Sequence, residues 1–191
     1  MECTNLKNII LELQNAATQV DEEQVEKFAD AIIAAKNIFV AGAGRSGFAA
    51  RGFANRLLHL GFHVAFVGDP TTPPIKEGDL LVIGSGSGTT AGLVVMAEKA
   101  KKQGADIATV TINPENTIGS MAKVYIKLPG TTRLLGDNQD KEGSIQPVGS
   151  MFEQLSWLTY DSVIMTLKEK TGQSNDDLIC LLYTSDAADD L

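Results

Sequence analysis

From Leu6 onward the apolar residues Leu6, Ile9, Ile10, Leu13 and Ala17 recur at helical spacing, and Val25, Phe28, Ala29, Ile32 and Ile33 repeat the pattern. Two amphipathic helices are predicted before any strand. Asp21 stands between them with Gln24 three residues on, an N-cap with its reciprocal partner. Beyond Asn37 the period changes. Short apolar runs, IFVAG, HVAFVGD, LLVIG, DIATVTI and KVYIKL, alternate with helical segments, one ending near Gly61, one running from Thr90 to about Gly104, and a short one around Ile118 to Ala122. Strands and helices in alternation, joined by right-handed crossovers, predict an α/β fold: a doubly wound five-stranded parallel sheet of flavodoxin-like order 2-1-3-4-5 between helical layers. A last helix, Ser150 to about Lys170, is apolar on more than one face, so its second side is expected to meet another copy of the chain.

Two strands run into glycine-rich turns. IFVAG leads into GAGRSG with Gly42, Gly44 and Gly47, and LLVIG leads into GSGSGTT, Gly84 to Thr90; each turn opens a helix. Backbone N–H groups and small hydroxyls gathered at a helix N-terminus make an anion site. In the order 2-1-3-4-5 the two turns follow neighbouring strands whose connections leave in opposite directions, so both face the crevice at the carboxyl ends. GAGRSG also fits a dinucleotide fingerprint, with Asp69 where a ribose-binding acid would sit. That reading leaves the second turn unexplained. Two hydroxyl-bearing turns instead suit a terminal phosphate dianion, held by Gly44, Arg45, Ser46, Ser85, Ser87, Thr89 and Thr90. The competing reading is that these serines only cap the two helices.

Composition narrows the ligand without changing the fold. The 191 residues carry a formal net charge of -8, with 43% hydrophobic and 21% charged residues, which fits one globular domain and lacks the basic footprint of a nucleic-acid surface. An anion must therefore be held locally. A hydrogen bond to a charged group contributes roughly 1.5 to 3 kcal/mol and an exposed helix N-terminus roughly 0.3 to 1 kcal/mol, so three or four donors suffice. Cys3 and Cys180, near opposite ends, form neither a disulfide framework nor a metal cluster and fit a reducing cytoplasm. No run approaches the roughly 18 apolar residues of a membrane span. The polar stretch from Pro129 to Pro147 reads as a lid or mobile loop. Residues 1–179 read as the domain, and 180–191, CLLYTSDAADDL, as a non-native tail resembling adapter translation.

GAGRSG, RLLHLGFHVAFVGD, SGSGTT, TINPENTIG and QPVGSMFEQ, in this order and spacing, resemble the sugar isomerase (SIS) domain family across about Leu6 to Leu178. Within it the likeness is to the branch that interconverts D-arabino-hex-3-ulose 6-phosphate and fructose 6-phosphate. The resemblance implies a homo-oligomer, typically a tetramer, with sites near subunit interfaces. Moving a carbonyl from carbon 3 to carbon 2 passes through an enediol, so one base shuttles a proton and neither metal nor nicotinamide is required. The resemblance makes Glu153 that base and His59 a site residue that donates a proton. A carboxylate raised in pKa by burial suits the task. From the residues alone, Ser150 and Glu153 form an S-x-x-E capping box, and His59 complements the end of its helix. Many relatives read SGSGET where this chain has Thr89, and they close with a His-containing segment that the tail replaces. Two further readings stand beside this one: another SIS isomerase, such as one acting on arabinose 5-phosphate, and a non-catalytic sugar-phosphate sensor, which would tolerate loss of Glu153.

Overall fold

The computed structural model describes residues 3–131 and 144–174. Most of the polar stretch after Pro129, and the tail from Cys180 to Leu191, lie outside the described residues. The helices are α1 (Thr4–Ala17), α2 (Glu22–Ala34), α3 (Gly44–His59), α4 (Ala91–Lys102) and α5 (Ser150–Thr171). The strands are β1 (Ile38–Gly42), β2 (Val64–Phe66), β3 (Leu80–Gly84), β4 (Asp106–Thr111) and β5 (Val124–Lys127), with a 3₁₀ turn at Gly119–Met121. All five strands are parallel in the order β2-β1-β3-β4-β5, as the pattern predicts.

Each strand's alternation divides the core. Ile38, Val40, Leu80, Val82, Ala108 and Val110 face a layer of α1, α2, α3 and α5, while Phe39, Ala41, Leu81, Ile83 and Ile107 face α4 and the 3₁₀ turn. The central strands are apolar at both parities because both of their faces are covered. Gly42 closes against Gly47: a Cβ on Gly42 would lie 2.8 Å from the Gly47 Cα, so both glycines let helix and strand meet. The connection β1 to α3 lies on one face and β3 to α4 on the other. A crevice opens between them at the carboxyl ends of β1 and β3.

The start of α2 refines the expectation. The Asp21 carboxylate accepts the Glu23 backbone N–H at 2.9 Å, as an N-cap should. The Gln24 side chain does not return to the backbone N–H of the cap. It donates to the Asp21 carboxylate at 3.4 Å and accepts the Lys127 backbone N–H at 2.8 Å, docking α2 on β5. The last helix packs against α3 and α2 through Phe152, Leu155, Tyr160, Val163 and Leu167, yet leaves Trp157, Leu158 and Met165 outside. Lys170 ties its end to Glu26 at 2.6 Å and Asp30 at 2.8 Å. Among the described residues, no helix is long and apolar enough to cross a membrane.

Candidate functional site

Register brings the two turns together. Gly42 pairs with Gly84, so β1 and β3 end side by side and both turns leave the sheet at one level. Gly44, at φ +58°, makes the first bend in a conformation that a side chain would strain. In the second turn Ser85 Oγ accepts the Gly88 N–H at 3.1 Å and Ser87 Oγ accepts the Thr89 N–H at 3.3 Å. Both hydroxyls keep their own hydrogens to offer a ligand.

The segment after β4 holds this turn from behind. Thr111 Oγ1 donates to the Gly86 carbonyl at 3.2 Å, Ile112 N–H donates to the same oxygen at 3.1 Å, and Ile118 N–H donates to the Gly88 carbonyl at 3.0 Å. The Asn116 amide donates to Thr111 Oγ1 at 2.9 Å and lies where a Cβ on Gly88 would fall, so only glycine fits at position 88, whose φ is +61°. The TINPENTIG motif is thereby a buttress. Beneath the turn, the Tyr160 hydroxyl lies 2.6 Å from where a Cβ on Gly84 would sit, and Tyr160 stacks on Phe53 with centroids 4.5 Å apart. Burial raises the Tyr160 pKa far above its usual range, so the group stays a neutral hydroxyl.

Neither helix caps itself with a side chain. Ala43 is the N-cap of α3 and Thr90 that of α4; neither makes a side-chain cap bond, and neither first turn carries an acid. The first four N–H groups of each helix have no partner within it. The capping-only reading of the serines therefore fails, and the positive ends of two helices converge on one cavity.

That cavity, about 380 Å³, is lined by Ser46, Ser85, Ser87 and Thr90 together with Glu153, Phe152 and the Pro147–Val148–Gly149 wall. Gly149 is the N-cap of α5 at φ +91°, and Ser150 is already helical. The capping-box reading of Glu153 is thus overturned, because the helix begins one residue earlier on a glycine that has no side chain to reciprocate. The Glu153 carboxylate turns instead toward Arg45, whose Nε lies 2.5 Å from Oε2; the Glu153 side chain is 19% exposed and that of Arg45 65%.

Several expected residues stand elsewhere. His59 is buried at the far end of α3, which at 16 residues is long. At 1.5 Å per residue it lies roughly 20 Å from Ser46, so its own chain's cavity is out of its reach; it stands with Arg56 in the last turn of the helix. Thr89 is exposed and does not line the cavity. Gly44 shapes the bend, and Arg45 acts from the rim through Glu153. Asp69 is engaged by Arg51, whose two terminal nitrogens donate to it at 3.2 and 3.0 Å while the guanidinium lies over Phe66. The Asp69 hydrogen bond raises the Arg51 pKa, and this pairing removes the acid that the dinucleotide reading needs. The Pro147 to Gly149 wall had no sequence signal of its own beyond its place in QPVGSMFEQ.

A family model described as "SIS domain" matches residues 31–134. Over 170 residues, covering 89% of this chain and 91% of the other, the sequence is 45% identical to a protein of Bacillus subtilis (strain 168) named 3-hexulose-6-phosphate isomerase. A Mycobacterium gastri protein of the same name is 40% identical over 91% of this chain and 86% of its own. Among solved structures, a Methanococcus jannaschii protein, from whose structure a 3-hexulose-6-phosphate isomerase function was inferred, superposes with a TM-score of 0.72 at 33% identity, covering 91% of this chain and 92% of the other.

Proposed function

The chain belongs to the SIS domain family, and from that premise we propose that it is a 3-hexulose-6-phosphate isomerase, interconverting D-arabino-hex-3-ulose 6-phosphate and fructose 6-phosphate. One observation carries the site assignment: the two turns leave the paired strand ends Gly42 and Gly84 into the cavity that also holds Glu153. The phosphate lies on the turns, taking hydrogen bonds from Ser46, Ser85, Ser87 and Thr90 and from the N–H groups that open α3 and α4.

With the phosphate fixed there, the chain of the sugar extends toward Glu153. Its carboxylate takes the proton from carbon 2 of the 3-ulose, leaving an enediolate across carbons 2 and 3, in which the O2 hydroxyl proton passes to the neighbouring O3. The same carboxyl then returns the proton to carbon 3 as the carbonyl forms at carbon 2. Arg45 holds the carboxylate in place and faces the sugar oxygens. Carriage of one proton between adjacent carbons needs a single base, and that step contributes typically about 10² to 10⁴-fold.

The domain is read as residues 1–179, it acts in the cytoplasm within formaldehyde assimilation, and it works as a homotetramer. Supporting self-association, Phe48, Trp157, Leu158 and Met165 stay exposed on α3 and α5, and Phe48 and Trp157 border the Arg45 and Glu153 pair. The test is a coupled assay of fructose 6-phosphate formation from enzymatically generated hex-3-ulose 6-phosphate, run beside Glu153→Gln. Turnover is expected to fall by about 10² to 10⁴-fold in that variant while fructose 6-phosphate still binds. Full activity in Glu153→Gln rejects the base assignment, whereas fructose 6-phosphate binding without turnover, both in the unaltered chain and after a family-like C-terminus is restored to it, makes it a sugar-phosphate sensor.

A further inference from the structure

The wall of the cavity is tied to the opposite end of the chain. Glu12 Oε1 on α1 accepts the Ile145 backbone N–H at 2.9 Å, and Glu12 Oε2 accepts the Gln146 side-chain amide at 2.7 Å. Gln146 is buried, and its backbone N–H donates to Ser144 Oγ at 3.1 Å. The next three residues, Pro147, Val148 and Gly149, line the cavity. Ser150 N–H then donates to the Pro147 carbonyl and Glu153 N–H to the Gly149 carbonyl, both at 3.0 Å, so the strap runs straight into the turn that carries the base.

We propose that Glu12 is a positioning residue for the sugar-phosphate site: its carboxylate clamps the strap 144–149, whose far half walls the cavity. The proposal rests on the functional reading above for what the cavity holds. Helix α1 is only lightly buried, with Ala16 inside the core and Leu13 packed against it, so the Glu12 tie is a large part of its polar attachment. A carboxylate bonded at both oxygens to one short strap is more than a solvated helix face requires. Partial burial pushes the Glu12 pKa up, but the bonds from Gln146, Ser144 and Ile145 outweigh it and leave the carboxyl below its usual value, so the strap's donors favour the charged acceptor.

The strap encloses substrate and carries no reacting group, so loosening it costs binding more than chemistry. Glu12→Ala is expected to raise KM for hex-3-ulose 6-phosphate by about 5 to 20-fold with kcat changed less than about 3-fold. Glu12→Gln is the rescue: its oxygen still accepts from Ile145, and its amide pairs with a turned-over Gln146, so KM returns to within about 3-fold of the unaltered chain. Gln146→Ala removes one arm from the other side, and combining it with Glu12→Ala is expected to add less than the sum of the two.

Hydrogen exchange without substrate reads the clamp independently, with protection of the Ile145 amide lost in Glu12→Ala. Unchanged exchange there overturns the clamp. Lost protection with unchanged KM and unchanged fructose 6-phosphate binding overturns its role at the site, as does a Glu12→Gln variant no better than Glu12→Ala. If the chain gives no turnover even with a family-like C-terminus restored, the isomerase reading fails by itself, and the clamp is still decided by exchange and by fructose 6-phosphate binding.

Discussion

Helix α2 and the pair α3 and α4 begin from the same physical problem, four backbone N–H groups with no partner inside the helix, and treat it in opposite ways. At α2 the chain supplies its own anion: Asp21 accepts the Glu23 N–H, and Glu22 and Glu23 sit in the first turn. At α3 and α4 the caps are Ala43 and Thr90 without side-chain bonds, and neither helix carries an acid in its own first turn. A helix start that satisfies itself is structural, and one that leaves its charge uncompensated awaits an anion. Helix α1 limits the lesson. It too lacks a side-chain cap, yet its first turn is exposed along its length, so an uncapped start reads as a site only where the fold sets a second one beside it.

The contrast breaks most sharply at a hydroxyl of the second turn. Ser87→Ala removes one donor to the phosphate, worth roughly 1.5 to 3 kcal/mol, and is expected to weaken fructose 6-phosphate binding by about 10 to 150-fold, read by calorimetry. Gly92→Asp converts a functional start into a structural one. Gly92 has open space around it, so a carboxylate fits in the first turn of α4. The melting temperature is expected to rise while sugar-phosphate binding weakens by about 2 to 5-fold. Asp21→Ala gives the smallest functional effect, with about 0.5 to 2 kcal/mol of stability lost and kcat/KM unchanged. A fall in kcat/KM there would erase the distinction between the two kinds of helix start.

The turns were legible because their chemistry is local. Glycines that permit a bend, and serines within a few residues of it, announce an anion loop wherever they stand. Glu153 was legible only in outline, since S-x-x-E suits a cap equally well. It took the left-handed Gly149 ahead of the helix, and Arg45 beside the carboxylate, to exclude the cap. His59 shows what local spacing leaves open. Its motif lies close to the first turn along the chain, but a helix converts that sequence distance into a length of roughly 20 Å.

Hydrophobic period and turn chemistry by themselves determined the element order, the parallel sheet and the two glycine-rich turns, because each depends on neighbours within a few residues. The tertiary structure alone decided that Gly42 and Gly84 end side by side, that Arg51 takes Asp69 out of the site, and that Glu12 reaches a strap 133 residues away. Those pairings join residues whose separation along the chain carries no period or local propensity. They exist only once the apolar faces of strands and helices have been buried against one another.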